Sequence, residues 1–250
     1  MTMDRDAILA IAREAGVLIE SIRARGTAVR EKSDASPVTE ADEAANDFIV
    51  TRLAALTPDI PIIAEESVAA GIVPDVGERF WLVDPLDGTR EFIAGRDEYT
   101  VNIALIEARV PTLGVIDLPA KGEAYLGIVG DGAWRIVNGE REAIAARTVP
   151  SVDPIAVASR SHGDAKTDTW LSEAGVGECV RAGSSAKFCV LACGKADLYP
   201  RFGRTMEWDI AAGHAILAAA GGSLTALDGA PFLYAKPGFE NPGFIARGAT

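Results

Sequence analysis

The sequence contains few of the side chains that bind zinc or carry out nucleophilic catalysis. Its 250 residues include only two histidines, His162 and His214, and three cysteines, at positions 179, 189 and 193. The cysteines lack the paired spacing of zinc ligands. Cys189 and Cys193 lie four residues apart in a predicted helix, and we interpret them as core residues. The composition therefore argues against a thiol-bound or histidine-bound zinc site, and it offers little material for a Ser-His-Asp hydrolase.

The sequence also lacks an excess of basic residues and any long hydrophobic run. It has 24 Lys and Arg against 36 Asp and Glu, a net charge of −12. Nucleic-acid binding by counterion release needs a basic face, so this function is excluded, whereas anionic small molecules remain possible ligands where cations are bound. There is no stretch of about 18 apolar residues, and the start, Met-Thr-Met-Asp-Arg-Asp, has no apolar signal segment. We therefore expect a cytoplasmic protein.

The rest of the composition is typical of an enzyme with a substantial core, because 48% of the residues are hydrophobic and 24% are charged. Apolar residues at helical spacing predict a helix over 8–22, ended at Gly26, and a second helix between the N-cap Thr39 and Pro58. Strands are then predicted at 60–64, 81–83, 99–106, 112–116, 123–128 and 133–137. The first half is thus predicted to place two helices against a largely antiparallel sheet.

From about Pro150 the predicted strands and helices alternate. Strands are predicted at 155–158, from 180 and at 196–199, and helices at 164–174, 184–193 and 210–220, the last one halted by Gly221 and Gly222. This alternation predicts an α/β half with a mostly parallel sheet. Because no linker separates the halves, we expect subdomains 1–149 and 150–250 to pack as one unit.

The stretch 81–92, Trp-Leu-Val-Asp-Pro-Leu-Asp-Gly-Thr-Arg-Glu-Phe, is the main candidate for a functional site. Pro85 has no backbone N–H, so the strand is predicted to end there. Asp84 and Asp87 flank this turn, Gly88 permits a tight bend and the close approach of an anion, and a threonine hydroxyl follows. Two carboxylates beside an open amide loop suit a hard cation that holds a phosphate.

Further carboxylates stand at the ends of predicted elements. Glu65 follows strand 60–64, and Asp209 stands at the start of the last helix. Each has an ordinary explanation as a helix-terminal or turn residue, and Asp42, three residues after Thr39, fits a capping box. The unit Asp-Pro-Leu-Asp-Gly-Thr is more specific, because its Pro, Gly and Thr stand where a turn that binds metal and phosphate would use them.

Carboxylates from separate segments suit the hydrolysis of a phosphate ester, which is among the slowest uncatalysed reactions. Its transition state spreads negative charge over the phosphoryl oxygens, so catalysis depends on positioning and charge neutralisation. Two or more Mg²⁺ ions could bridge the phosphate, activate a water and stabilise the leaving oxygen. Several carboxylates and a backbone carbonyl would suffice to hold them.

Two segments, Asp84-Pro-Leu-Asp-Gly-Thr89 and Glu207-Trp-Asp-Ile-Ala-Ala-Gly213, resemble the signatures of the inositol monophosphatase superfamily, the lithium-sensitive, Mg²⁺-dependent phosphatases. Segments 36–42 and 64–67 match further parts of the pattern. The resemblance extends from about residue 5 to Ala246. It implies a layered αβαβα sugar-phosphatase fold, α+β in the first half with an antiparallel sheet, and α/β in the second with a mostly parallel one.

Four stretches narrow the resemblance to the CysQ-type 3′(2′),5′-bisphosphate nucleotidases within this superfamily. These stretches are Arg90-Glu-Phe92, 99–106, Ser159-Arg-Ser-His162 and 183–213. Arg90 stands where Lys is more usual, with the charge kept, and Arg204 is a second departure, which leaves the metal ligands unaffected.

The resemblance implies Mg²⁺ as the cofactor, with two or three ions bound. The first ion would be held by Glu65, Asp84, Asp87 and the carbonyl oxygen of Leu86. The second would be held by Asp84, Asp87 and Asp209, and a third, weaker ion would lie near Glu65.

Catalytic roles follow from the same resemblance. Thr89, hydrogen-bonded to Asp42, would orient the attacking water and help to deprotonate it, assisted by Glu65. The backbone N–H groups of Gly88 and Thr89 would bind the scissile phosphate.

The nucleotide contacts implied by the resemblance are His162, Ser184, Lys187 and Arg201, which would bind the adenosine and its second phosphate, together with Asp209. Lys187 and Arg201 are suited to a 5′-phosphate. The simpler interpretation of these side chains is a pair of solvated charges and a loop histidine.

The implied function is hydrolysis of the 3′-phosphate of adenosine 3′,5′-bisphosphate to AMP and phosphate, a clearance step in sulfur metabolism. The alternative is an inositol or sugar monophosphatase that uses the same metals. A third hypothesis is a catalytically silent sensor that binds metal and nucleotide. The sequence leaves open whether the protein is a monomer or a homodimer, and whether it associates peripherally with the inner face of the membrane.

Overall fold

The computed structural model describes residues 4–26, 28–31, 37–160 and 165–250. The helices in these ranges are α1 (Arg5–Arg25), α2 (Glu40–Leu56), α3 (Glu65–Ala69), α4 (Thr89–Ile93), α5 (Ala165–Glu173), α6 (Ala186–Ala192) and α7 (Glu207–Ala219). The strands are β1 (Val29–Glu31), β2 (Pro37–Thr39), β3 (Ile62–Ala64), β4 (Arg79–Asp87), β5 (Thr100–Glu107), β6 (Val110–Leu118), β7 (Glu123–Ile128), β8 (Gly132–Val137), β9 (Glu140–Ile144), β10 (Ile155–Ser159), β11 (Glu178–Ala182), β12 (Leu198–Arg201), β13 (Thr205–Met206), β14 (Ser223–Ala226), β15 (Glu240–Asn241) and β16 (Phe244–Arg247). None of the described helices is long and apolar enough to cross a bilayer.

A seven-stranded sheet forms the centre of the first half, with β3 to β9 in sequence order. Neighbouring strands run antiparallel except β3 and β4, which are parallel. The prediction of a largely antiparallel sheet is therefore confirmed. The sequence did not predict β9, because its residues Glu140–Ile144 are mostly exposed and show no apolar alternation.

Helices α1 and α2 cover one face of this sheet. Their buried side chains, among them Ile8, Ile19 and Ile49, form one core with Trp81 and Val101 of the sheet. Both helices were predicted, and a side chain caps the N-terminus of each: Asp4 caps α1 and Thr39 caps α2.

Helix α7 covers the opposite face and lies unusually close to the strands. A Cβ atom at Gly114 of β6 would lie 2.3 Å from the carbonyl oxygen of Ala212, and one at Gly127 of β7 would lie 2.4 Å from the Cα of Ile216. Only glycine fits at these two sheet positions, so they allow α7 to pack closely against the sheet.

The second sheet has the strand order β11-β10-β12-β16-β14. Strand β10 is parallel to β11 and β12, whereas β16 is antiparallel to β12 and β14. The prediction of a mostly parallel sheet thus holds for the three strands that the sequence identified and is wrong for the other two. Strands β14 and β16 follow the last helix, and each has only four residues, too few to show a period.

Two of the three cysteines, Cys189 and Cys193, were predicted to be core residues, and both pack in the core. Cys189 is buried, Cys193 is half-buried against the same core, and Cys179 is exposed; all three are free thiols. The division into subdomains 1–149 and 150–250 stays a prediction, although α7, from beyond residue 150, packs on the first sheet.

One buried acid lies between α1 and the sheet, away from the candidate functional residues. Asp117 of β6 is 4% exposed, and its Oδ2 lies where a Cβ at Gly16 would come within 2.2 Å. Burial is the main reason why the pKa of this carboxyl is raised to about 7; the charge of Arg13 opposes the shift and the charge of Glu20 adds to it. The folded protein therefore favours the protonated acid.

We expect Asp117→Asn to stabilise the protein more at pH 8 than at pH 5. Between the ordinary pKa of 3.8 and the folded value of about 7, the folded protein binds more protons than the unfolded chain, so stability falls as the pH rises through this window. At about 1.4 kcal/mol per pKa unit, the increase in unfolding free energy caused by Asp117→Asn should be roughly 2–3 kcal/mol larger at pH 8 than at pH 5. Urea unfolding at both pH values measures this, with the exposed Asp59→Asn as control. A gain independent of pH would contradict the prediction.

Candidate active site

The parallel pairing of β3 and β4 brings the first two acidic residues together. Ala64, the last residue of β3, pairs with Val83 of β4. The next residues, Glu65 and Asp84, therefore stand side by side at the same edge of the sheet, because parallel strands end in the same direction. Asp84 is buried, at 1% exposure, and Glu65 is half-buried at the start of α3.

Strand β4 continues through Pro85, contrary to the prediction that it ends there. Its pairing with β5 is interrupted by a bulge between Asp84 and Asp87, after which Asp87 pairs with Thr100. On its other side β4 pairs with β3 only up to Val83. Pro85 therefore lies at a bulge, beyond the reach of β3, where a missing N–H is tolerated.

Helix α7 brings the third carboxylate from the other half of the chain. Glu65, Asp84 and Asp209 each offer a carboxylate oxygen, and these oxygens all lie within 4.8 Å of one another. Burial raises the pKa of Asp209 well above its usual range, and the nearby charges of Asp87 and Glu65 raise it further. Like charges held this close are stabilised by a bound cation, and a set made only of oxygen donors fits a hard metal ion.

Asp87 and Leu86 lie beside this group. One carboxylate oxygen of Asp87 accepts a hydrogen bond from Ser185 Oγ at 2.7 Å. The backbone N–H of Leu86 donates to Asp84 at 3.0 Å, and the Leu86 carbonyl oxygen lies 3.3 Å from the Thr89 hydroxyl. Both residues line the same cleft as the three carboxylates.

Asp42 caps its helix and contacts the site at the same time. Its Oδ2 accepts hydrogen bonds from the N–H and the hydroxyl of Thr39, both at 2.7 Å, which completes a capping box. Its Oδ1 accepts a hydrogen bond from Thr89 Oγ1 at 2.8 Å. The two interpretations of Asp42 were therefore not exclusive, because one carboxylate has two oxygens with separate lone pairs.

Gly88 makes the turn that starts α4. Its φ of 96° lies in the left-handed region, and a Cβ there would lie 3.1 Å from the Glu98 carbonyl oxygen. Thr89 is the first residue of α4, where backbone N–H groups have no acceptor within the helix.

Two buried cations also line the cleft. Lys187 of α6 is 5% exposed and Arg201 of β12 is 8% exposed. Lys187 Nζ donates to the Ser184 carbonyl and lies 5.3 Å from the centre of the Tyr199 ring. Burial lowers the pKa of Lys187 to about 8, although the charge of Asp87 opposes this shift. Solvated surface charges were the simpler interpretation, and burial contradicts it.

The cleft has a volume of about 550 Å³. The predicted site residues that line it are Glu65, Asp84, Leu86, Asp87, Gly88, Thr89, Ser184, Lys187, Arg201 and Asp209, and Arg90 and Arg204 line it as well. Asp42 reaches it through Thr89. His162 lies outside the described residues.

The sequence reasoning did not identify three polar residues close to the site, of which Ser185 binds a predicted site residue directly. Ser185 binds Asp87, and Asn102 in turn binds Ser185, with Asn102 Nδ2 2.9 Å from Ser185 Oγ. Glu98 accepts from the Gly183 N–H at 3.0 Å and pairs with Arg160 at 2.8 Å. No local pattern separates Ser185 from Ser184, because only the packing of α6 against β4 decides which hydroxyl faces the carboxylates.

A cleft that combines acidic oxygen ligands with buried cations, at the edge of a sheet covered by helices on both faces, is typical of the metal-dependent phosphatase class. The model of the inositol monophosphatase family matches residues 3–244, and the chain belongs to this family.

Curated relatives and solved structures agree with this family. The chain is 45% identical over 242 residues to the 3′(2′),5′-bisphosphate nucleotidase CysQ of Escherichia coli O157:H7, covering 96% of this chain and 97% of that protein. The crystal structure of CysQ from Bacteroides thetaiotaomicron superposes with a TM-score of 0.81 at 36% identity, covering 99% and 97% of the two chains. An inositol monophosphatase of Thermotoga maritima superposes with a TM-score of 0.78 at 28% identity, covering 96% and 89%.

We expect Asp209→Asn to raise the melting temperature in EDTA at pH 8 and to reduce the further rise on adding MgCl₂. The substitution removes one of several crowded negative charges, while its amide oxygen can still accept from the Met206 N–H, which now donates to Asp209 at 2.8 Å. Differential scanning fluorimetry with and without the cation measures both effects. Asp4→Asn, at the α1 N-cap, is the control for loss of a helix-start carboxylate. An unchanged response to MgCl₂ would contradict this assignment.

Proposed function

We propose that this protein is a Mg²⁺-dependent 3′(2′),5′-bisphosphate nucleotidase, which hydrolyses the 3′-phosphate of adenosine 3′,5′-bisphosphate to AMP and phosphate. The observation that carries the proposal is the pairing, in one cleft, of a carboxylate cluster with two buried cations. Its similarity to the curated CysQ nucleotidases over nearly the whole of both chains supports the same substrate class.

The carboxylates suit a site for two or three Mg²⁺ ions. Glu65, Asp84, Asp87 and the Leu86 carbonyl would hold the first ion, and Asp84, Asp87 and Asp209 the second, with Glu65 near a third. When bound, the ions would neutralise charge on the phosphoryl group and lower the pKa of a water. The crowding of Glu65, Asp84 and Asp209 supports this assignment, because uncompensated carboxylates at such distances repel one another.

Thr89 is suited to act on the attacking water. A hydroxyl has one hydrogen, and that of Thr89 points to the Asp42 carboxylate, the closer and charged acceptor at 2.8 Å, and not to the Leu86 carbonyl at 3.3 Å. Thr89 Oγ1 could thus accept a proton from the water while its own hydroxyl proton passes to the Asp42 carboxylate, so that the threonine stays neutral and Asp42 takes up the proton. Glu65 would assist, and the N–H groups of Gly88 and Thr89 would bind the phosphate.

A second phosphate on the substrate is the feature that Lys187 and Arg201 would recognise. A monophosphate ester has all its charge at the metal end of the cleft and would form no charge-assisted bond with these two cations, whereas a second phosphate would. Ser184 and His162 are proposed as further contacts of the nucleoside, together with Asp209. This difference favours the bisphosphate over an inositol monophosphate.

The proposal includes action in the cytoplasm as an enzyme for a small-molecule substrate. For the oligomeric state, the sequence allows a monomer or a homodimer. It also allows peripheral association with the membrane.

We expect Thr89→Val to reduce kcat by about 10²–10⁴-fold, the range of losses when a group that transfers a proton is removed. Valine keeps the shape of threonine but cannot accept the proton or bind Asp42. Thr89→Ser should retain most activity. Phosphate release with saturating Mg²⁺ measures kcat, and Thr112→Val, which loses a hydroxyl bonded to Glu107, is the matched control. A Thr89→Val protein with near-normal kcat and circular dichroism would contradict this role.

We expect Lys187→Met and Arg201→Gln to raise the KM for adenosine 3′,5′-bisphosphate by about tenfold or more, the cost of a charged hydrogen bond, and to change kcat/KM on inositol 1-phosphate by less than about threefold. The pKa of Lys187, lowered to about 8, implies that its positive charge is lost as the pH rises through 8. In the wild type kcat/KM for the bisphosphate should therefore fall above pH 8, and Lys187→Met should lack this step.

Steady-state kinetics on both esters tests this specificity. Arg141→Gln, which removes a partly exposed cation paired with Asp6, controls for net charge. A wild-type enzyme that prefers inositol 1-phosphate would overturn the nucleotidase proposal in favour of the monophosphatase.

A further inference from the structure

The Ser185 hydroxyl joins three separate elements beneath the carboxylate cluster. It lies 2.7 Å from Asp87 Oδ2 at the end of β4, 2.5 Å from the Asp209 carbonyl oxygen in α7, and 2.9 Å from Asn102 Nδ2 on β5. Ser185 is 2% exposed and Asn102 is 1% exposed. A buried hydroxyl with three polar neighbours on three elements holds those elements at fixed distances from one another.

The direction of these hydrogen bonds is set by the number of hydrogens. A hydroxyl donates one hydrogen and accepts through two lone pairs. The Asn102 amide group donates to Ser185 Oγ, so the hydroxyl hydrogen is left for Asp87 or for the Asp209 carbonyl. Both acceptors are within bonding distance, so the hydrogen is shared between the Asp87 carboxylate and the Asp209 carbonyl in a three-centre bond. Asn102 therefore orients the Ser185 hydroxyl toward Asp87 and the start of α7.

Ser185 has no competing role in its own helix. It stands immediately before α6, where a serine commonly caps the helix, yet it makes no side-chain capping bond. The preceding Ser184 has a φ of 45°, in the left-handed region that non-glycine residues rarely adopt. The backbone at this turn thus adopts a costly conformation in which the Ser185 hydroxyl faces the carboxylates rather than the helix.

We propose that Ser185, oriented by Asn102, is a positioning residue that holds Asp87 against the start of α7 and thereby sets the affinity of the site for divalent cations. This inference rests on the proposed function only in that Asp87 and Asp209 share a bound cation. Asp87 belongs to the seven-stranded sheet and Asp209 to a helix that crosses it. A cation held by both needs their separation fixed before it binds, and loss of such outer contacts typically weakens metal affinity by about 10–100-fold.

The test is the dissociation constant for Mg²⁺, measured by calorimetry on the full chain after EDTA treatment and without substrate. Ser185→Ala should raise this constant about tenfold or more. The Mg²⁺ concentration for half-maximal turnover should rise in parallel, while kcat at saturating Mg²⁺ changes much less. Asn102→Ala should weaken Mg²⁺ binding as well, and adding it to Ser185→Ala should have little further effect, because Asn102 acts through Ser185.

Thr57→Val is the matched control. Thr57 is another buried hydroxyl with two partners, the Leu53 carbonyl and Trp81 Nε1. It lies at the opposite end of α2 from Asp42 and is not among the residues that line the cleft. The Thr57→Val substitution should lower the melting temperature and leave the Mg²⁺ dissociation constant unchanged.

The possible outcomes separate this inference from the proposed function. Ser185→Ala that binds Mg²⁺ like the wild type, or Thr57→Val that weakens binding equally, would overturn the positioning role. A wild type that binds no Mg²⁺ would overturn both, whereas Mg²⁺ binding without hydrolysis of the bisphosphate would overturn the proposed function alone.

Discussion

The mutual repulsion of carboxylates gathered at one edge of a sheet is the constraint on which the rest of this structure depends. Glu65, Asp84 and Asp209 come from three segments, and each would be better solvated apart from the others. The protein holds them together through backbone structure. The parallel register of β3 and β4 fixes the first two, and two glycines in the sheet allow α7 to approach closely enough to deliver the third.

Several side chains at this edge combine a structural bond with a contact to the site. Asp42 completes a capping box with one oxygen and binds Thr89 with the other. Asp209 likewise binds the backbone N–H at the start of its own helix. Ser185 differs from them, because its side chain does not cap its own helix and binds the Asp87 carboxylate instead. Helix starts, strand ends and site residues therefore coincide, so the acidic groups are positioned by rigid elements.

The distribution of charge in the cleft would determine how a substrate with two phosphates is oriented. The carboxylates line the cleft together with Lys187 and Arg201, which are buried and only weakly screened by solvent. The carboxylates suit the metal ions of the proposed reaction, and the two cations suit a second phosphate that does not react.

The sequence by itself determined the helices α1, α2 and α7, most strands of the first sheet, and the identity of the acidic residues, because periodicity, capping residues and the Asp-Pro-Leu-Asp-Gly-Thr turn are local signals. It was wrong about the strand end at Pro85 and did not identify the two late strands that make the second sheet partly antiparallel, since bulges and strand pairing depend on distant partners. Only the tertiary structure decided that Lys187 is buried and that Ser185 faces Asp87. Burial and side-chain direction are set by what packs against a residue, and no spacing along the chain encodes that.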